Sequence, residues 1–151
     1  MSNPSDRDSY LVDASCAADF PAVMELLRQL WPTTTLDPLA LREVYERGLD
    51  AKNQVYMCAR TGDHVVGFGT LTIKNNFWQA GFLGHIDELI IDTAFRNRGI
   101  GTALLRELTT IAQKRGCRRI ELDSGFHRAE AHAFYEAQGF EKRGIVLSKL
   151  V

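Results

Sequence analysis

GHIDELIIDTAFRNRGIGTALL, residues 84 to 105, is the stretch that decides the fold. Its apolar run from Gly84 to Asp92 predicts a β-strand, and apolar residues recur at helical spacing from Ile100 to about Arg115. Strict alternation assigns the strand residues to two faces: Ile86, Glu88 and Ile90 on one, and Asp87, Leu89 and Ile91 on the other. Because both faces carry apolar residues, the strand is expected at the centre of a sheet.

The loop between this strand and helix reads Arg96-Asn97-Arg98-Gly99-Ile100-Gly101. Glycine lets the backbone turn tightly and a ligand approach closely, and a helix N-terminus presents N–H groups with a partial positive charge. Together with two arginines, this pattern predicts a phosphate or pyrophosphate site. The alternative is a tight turn with solvated arginines. A dinucleotide site is disfavoured because Leu104 stands where a third glycine is expected.

Composition excludes several classes of protein. The chain has 151 residues, of which 45% are hydrophobic and 25% charged, so it is typical of a globular protein. A net charge of −1 lacks the basic excess of a nucleic-acid or membrane binder. The polar N-terminus has no apolar core of a signal peptide, and the three cysteines show no metal or disulfide spacing. We therefore expect a soluble cytoplasmic protein without metal, nucleic-acid or membrane partners.

The remaining pattern predicts one mixed α/β domain over residues 1–151, with 1–9 as a flexible tail. Further strands are expected at 10–12, 55–60, 65–73 and 118–123, with 55–73 forming a hairpin. Further helices are expected from Asp19 to Trp31, from Asp37 to near Gly48, and over 129–138. Residues 140–150 are expected to form one bent strand or two short strands around Gly144.

The strand, glycine loop and helix resemble those of the GNAT superfamily of acyl-CoA-dependent N-acetyltransferases. A second family element, Phe134-Tyr135 followed by Gly139-Phe140, occurs in the family's order, and the resemblance covers residues 64 to 150. It implies an α/β fold with a mixed central sheet flanked by helices and an acetyl-CoA cleft beside the central strand. The residues that it implies for acetyl-CoA binding are Leu89, Ile90, Ile91, Arg96, Asn97, Arg98, Gly99, Ile100, Gly101, Thr102, Ala103 and Phe134.

Within the superfamily, residues 123–135 and 147–149 resemble small-amine acetyltransferases of the aminoalkylphosphonate type. The resemblance implies direct transfer of an acetyl group from acetyl-CoA to a primary amine, without metal or a covalent acyl-enzyme. A protein or peptide acceptor is an alternative within the same chemistry. A non-catalytic acyl-CoA-binding module is an alternative outside it.

Glu88 and Tyr135 are the predicted catalytic residues. An ammonium has no lone pair, so the acceptor amine needs a base, and a carboxylate among apolar neighbours has a raised pKa suited to that role. Glu88 is otherwise a sheet-face carboxylate with a basic partner, and His85 and His132 are reserve bases. By resemblance, Tyr135 donates a proton to the leaving thiolate; its alternative role is packing against Phe134.

The acceptor side is expected to be formed by loops around one mouth of the cleft. Its predicted substrate-binding residues are Trp31, Phe77, Trp78, His127 and Arg128. An arginine there would pair with a phosphonate, phosphate or carboxylate on the amine. The loop aromatics are equally suited to contacts in a homodimer.

Overall fold

The computed structural model describes residues 9–151, which form two compact units, one reaching to Glu121 and one from Leu122 to Val151. Of the predicted flexible tail, residues 1–8 lie outside the described residues. Among residues 9–151, no helix is long and apolar enough to cross a membrane.

The first unit begins with strand β1 (Leu11–Ala14) and helices α1 (Phe20–Leu30) and α2 (Pro38–Asp50). Strands β2 (Gln54–Thr61), β3 (His64–Asn76) and β4 (Gly81–Ile91) follow, and then helix α3 (Ile100–Lys114) and strand β5 (Cys117–Leu122). The predicted elements are present, with ends displaced by a few residues. Asp37 begins α2 because its side chain accepts hydrogen bonds from the N–H groups of Leu39 and Ala40.

The sheet has the order β1-β2-β3-β4-β5, and β1 to β4 are antiparallel. Strand β5 follows β4 through helix α3, the crossover connection that parallel neighbours require. This confirms the predicted mixed sheet flanked by helices, with β4 as an inner strand.

Helices cover both faces of the sheet. One face packs against α1 and α2, where buried side chains include Phe20, Leu26, Tyr45, Phe68 and Ile90. The other face packs against α3: a Cβ at Gly69 would lie 2.9 Å from the Leu108 side chain. The glycine therefore allows close contact between strand and helix.

The second unit contains helix α4 (Ala129–Ala137), which ends before Gly139 at a φ of 93°. The prediction of strands in residues 140–150 is wrong, because residues 140–151 have no regular secondary structure in the described chain. Ile145, Leu147 and Leu150 are exposed there. A strand exists only by pairing its N–H and C=O groups with a neighbour, so β-forming residues alone do not produce one.

Candidate active site

The loop before α3 ends in a glycine with a left-handed backbone conformation. Gly99 is the residue just before α3 and has a φ of 81°. A Cβ atom added to Gly99 would meet no atom within 4 Å. The Arg96 side chain donates to the Ile91 carbonyl at 3.1 Å, and the Arg98 guanidinium lies 5.1 Å from the centre of the Phe95 ring. Open space therefore adjoins Gly99 at the N-terminus of α3, and two arginines precede it in the chain.

A β-bulge interrupts β4 at Asp87 and Glu88. Leu71 of β3 pairs with Ile86, whereas Gly69 pairs with Leu89, so Asp87 and Glu88 together oppose the single residue Thr70. The extra residue shifts the alternation of side chains between faces.

Because of the bulge, the side chains of β4 are distributed between the two faces of the sheet differently from the prediction. Gly84 faces α3, since its Cβ would lie 3.4 Å from Ala112, and Ile86, two residues later, shares that face. Leu89 pairs with Gly69 and also faces α3, whereas Ile90 belongs to the core on the α1 side. The prediction that Ile86 and Ile90 share a face is wrong because a bulge lies between them.

Glu88 is held by Thr70, which is 2% exposed. The Thr70 hydroxyl donates a short hydrogen bond to the Glu88 carboxylate and accepts one from the Glu88 N–H at 3.0 Å. Burial raises the pKa of Glu88, the Thr70 hydrogen bond opposes that rise, and the neighbouring Asp87 charge adds to it. The carboxyl group thus takes up and releases a proton closer to neutrality than an ordinary glutamate does.

Asp87 points to the same face as Glu88, contrary to the prediction that it faces the other way. Its carboxylate accepts from the Thr72 hydroxyl at 2.5 Å, and Thr72 lies two residues from Thr70 on β3. The Asp87 carboxylate also lies 2.8 Å from Nδ1 of His85. Two carboxylates and one imidazole therefore line one polar path on the α1 side of β4.

Tyr56 extends this path onto β2, where it pairs with Thr70 in the register of the sheet. Burial raises the pKa of its phenol, and the charges of Glu88 and Asp87 raise it further. Sequence reasoning missed Tyr56, Thr70 and Thr72. The available signal was the pair of threonines at alternate positions of an otherwise apolar stretch of β3.

The structure separates the predicted acceptor residues of the first unit. Gln29, near the end of α1, accepts from the Thr93 N–H at 3.0 Å, which places Trp31 near the C-terminal end of β4. Phe77 and Trp78 lie in the turn before β4, roughly 30 Å away along a strand that rises about 3.3 Å per residue. The prediction that these three residues surround one cleft mouth is wrong.

The aromatic residues at the two ends of β4 differ in what they contact. Trp31 packs against the core on the α1 side and lines a surface pocket of about 310 Å³. The other residues of that pocket are Arg28, Pro32, Thr34, Thr35 and Leu36. Phe77 is fully exposed, and the Arg119 guanidinium stacks 4.9 Å from the Trp78 ring centre. Glu88 lies on the face and toward the strand end occupied by Trp31.

The second unit holds the remaining predicted residues. The Tyr135 ring lies 5.3 Å from the Phe134 ring and 5.7 Å from the Phe140 ring, and burial raises the pKa of its phenol. His127 is exposed, and Arg128 precedes α4, where its positive charge opposes the effect of burial and lowers the Tyr135 pKa. Tyr135 is therefore protonated at neutral pH, the state needed in a proton donor.

Within the part of the chain that the structure describes, no group of three or more His, Cys, Asp or Glu side chains is arranged to hold a metal ion. The ring of His85 pairs with Asp87, and the Glu88 carboxylate is bonded to Thr70.

A model of the acetyltransferase (GNAT) family matches residues 20–140, so the chain belongs to this family and is an N-acetyltransferase. It is 30% identical over 126 residues to glucosamine 6-phosphate N-acetyltransferase of Trypanosoma brucei brucei, covering 82% of this chain and 83% of that protein. It is 28% identical over 123 residues to aminoalkylphosphonate N-acetyltransferase of Salmonella typhimurium, covering 82% and 77% respectively.

Among solved structures, the fold is similar to that of aminoglycoside N-acetyltransferase AAC(6')-Iy in complex with CoA. The TM-score is 0.83, with 19% identity, and the match covers 95% of each chain. This likeness confirms the predicted fold.

Proposed function

We propose that the protein transfers an acetyl group from acetyl-CoA to a primary amine of a small molecule by direct attack of the amine. The observation that carries this proposal is the Glu88 carboxyl, partly buried and bonded to Thr70, on the strand that leads into the Gly99 loop.

Glu88 acts as the general base. The acceptor amine is an ammonium at neutral pH and must lose a proton before its nitrogen lone pair is available. Burial raises the Glu88 pKa, which makes the carboxylate a stronger base than an ordinary glutamate. Asp87 and His85 pair with each other on the same face, and their charges act on the Glu88 carboxyl.

Acetyl-CoA is the cosubstrate, and it supplies an acetyl group activated as a thioester. The residues around the Gly99 loop fit its pyrophosphate: a glycine at a left-handed φ leaves open space, and Arg96, Arg98 and the N-terminus of α3 provide positive charge. The resemblance assigns the backbone of residues 89–91 to the pantetheine part of the molecule.

Tyr135 protonates the departing thiolate. Its phenol is held by two aromatic rings, and its raised pKa keeps the hydroxyl protonated at neutral pH. A donor at the leaving group stabilises the charge that develops there.

The acceptor is a small amine that carries an anionic group. The named relatives act on glucosamine 6-phosphate and aminoalkylphosphonate. Trp31 and the pocket it lines with Arg28 are on the Glu88 side of the sheet and supply an aromatic face and a guanidinium. Arg128 is the second candidate for the anion, and His127, Phe77 and Trp78 are further candidates for acceptor contacts.

The proposal is tested by thiol release from acetyl-CoA with a panel of amines: glucosamine 6-phosphate, an aminoalkylphosphonate, an aminoglycoside, and peptides with free N-termini or lysines. We expect activity with a phosphorylated or phosphonylated amine and none with the peptides. Activity with peptides alone would identify a protein acetyltransferase. Absence of thiol release with every amine, despite acetyl-CoA binding, would contradict the catalytic proposal.

Glu88→Gln tests the base. Gln keeps the size of the side chain, so the fold and acetyl-CoA affinity should hold while kcat/KM falls at neutral pH by about 10²–10⁴-fold. The acid limb of the pH profile should disappear. Glu43→Gln, an exposed carboxylate on α2, is the matched control and should retain both rate and limb. A limb that persists in Glu88→Gln would assign the base elsewhere, His85 and His132 being next.

We further propose that residues 1–151 form one acetyltransferase domain that works as a cytoplasmic homodimer. The family match from residue 20 to residue 140 supports one domain.

The three cysteines are free thiols, which is typical of a reducing compartment. The exposed apolar side chains of Ile145, Val146 and Leu147 favour a second copy as the partner. Light scattering should give twice the chain mass, and Leu147→Asp should reduce it to one.

A further inference from the structure

Thr70 carries a buried hydroxyl to which the proposed reaction assigns no role. It lies on β3 opposite the two bulged residues of β4 and is 2% exposed. Its hydroxyl contacts one residue twice, since it donates to the Glu88 carboxylate and accepts from the Glu88 N–H. A buried hydroxyl needs hydrogen-bond partners in any case, and here both bonds go to the proposed base.

The two bonds have different consequences. The bond from the Glu88 N–H joins the bulged backbone of β4 to β3 at the place where the register shifts. The bond to the carboxylate limits its rotation and stabilises its ionised form, because a hydroxyl donates better to a negative oxygen than to a neutral one.

We infer that Thr70 is the positioning residue of this enzyme, setting both the direction and the protonation of the Glu88 carboxyl through its hydroxyl. This inference rests on the proposed function for its effect on catalysis. Thr70 touches no reacting atom in it and acts only through Glu88.

Other groups also face Glu88 and act on its charge. Asp87 raises its pKa and His85 lowers it from the same strand, and Tyr56 approaches from β2, next to Arg47 of α2. Thr70 differs from all of these because it bonds directly to the carboxylate. Its removal should therefore shift the titration of Glu88 while the neighbouring charges stay in place.

Thr70→Val tests the inference, because valine keeps the branched shape and lacks the hydroxyl. Loss of a hydrogen bond to a charged group should raise the Glu88 pKa, so the acid limb of kcat/KM should move up by about one pH unit. Thr70→Ser keeps the hydroxyl and should restore the limb. Thr109→Val is the matched control: it removes a partly buried hydroxyl that donates to the Leu105 carbonyl within α3, and it should leave the limb in place.

The Glu88 carboxyl should also be titrated by carbon NMR in each variant, with Glu88→Gln to assign the signal. An unchanged titration in Thr70→Val, or an equal shift in Thr109→Val, would overturn the inference. If Thr70→Val does not fold, Thr70→Ala removes the same hydroxyl and meets the same criterion. If the titration moves but Glu88→Gln keeps full activity, Thr70 sets the charge of Glu88 as inferred and the proposed base is wrong.

Discussion

Replacing Asp19 with Asn should reduce the stability that this fold loses in acid. Asp19 lies just before α1 and is 8% exposed. Its carboxylate accepts from both terminal nitrogens of Arg60 at 2.7 Å and from the Cys16 N–H at 2.8 Å. The hydrogen bonds from Arg60 lower the pKa of Asp19 from 3.8 to about 2, although burial acts in the opposite direction.

The magnitude follows from linkage between protonation and folding. One pKa unit corresponds to about 1.4 kcal/mol, so the lowering contributes ~2.5 kcal/mol to the free energy of unfolding at neutral pH. Because the folded-state pKa is the lower one, this contribution is complete above the unfolded value of 3.8 and is lost as the pH falls through about 2. By pH 3 about 1 kcal/mol of it has gone.

Chemical unfolding of wild type and Asp19→Asn at pH 7 and pH 3 measures this contribution. The wild type should lose about 1 kcal/mol more stability than the variant over that interval. Asp13→Asn is the matched control: Asp13 also bonds Arg60, at 2.6 Å, but its side chain is 44% exposed, so solvent screens the pair. Equal losses in wild type and Asp19→Asn would refute the assignment of this acid sensitivity to Asp19.

Two further predictions concern the reaction. Gly99→Val should weaken acetyl-CoA binding at least tenfold by calorimetry, because a side chain would enter the open space before α3. Gly116→Val, at a φ of 86° beyond the other end of that helix, should retain the affinity of the wild type. Equal affinities of the two variants would contradict the assignment of the loop to acetyl-CoA. Tyr135→Phe keeps the contacts with Phe134 and Phe140, so steady-state kinetics should show a large loss in kcat with little change in KM, and an unchanged kcat would leave Tyr135 a packing residue.

Much of the fold was predictable from local signals. The cap at Asp37, the left-handed glycine before α3 and the helical spacing after it depend on residues a few positions apart, so the sequence displays them directly. Glu88 stood out as a candidate because a carboxylate in a largely apolar strand is unusual, and its role stays a prediction. The strands expected at 140–150 were not formed, because strand formation depends on a neighbour that composition does not specify.

The polar path around Glu88 could not be predicted in this way. It depends on how β4 is paired with β3, since the bulge opposite Thr70 moves Asp87 to the face of Glu88 and separates Ile86 from Ile90. A shift of one residue in register reverses the face of every later side chain, and no period within one strand reveals it.

The sequence by itself thus determined the order of the elements up to α4, the glycine loop with its arginines, and the position of the candidate carboxylate, because each depends on local conformational preference or on residue type. Only the tertiary structure decided which groups surround that carboxylate and which acceptor residues can lie near one another. Thr70 is 18 residues from Glu88 along the chain, and Trp31 and Trp78 are found toward opposite ends of β4. Such proximity is set by strand pairing and helix packing across the sheet, which are properties of the folded chain.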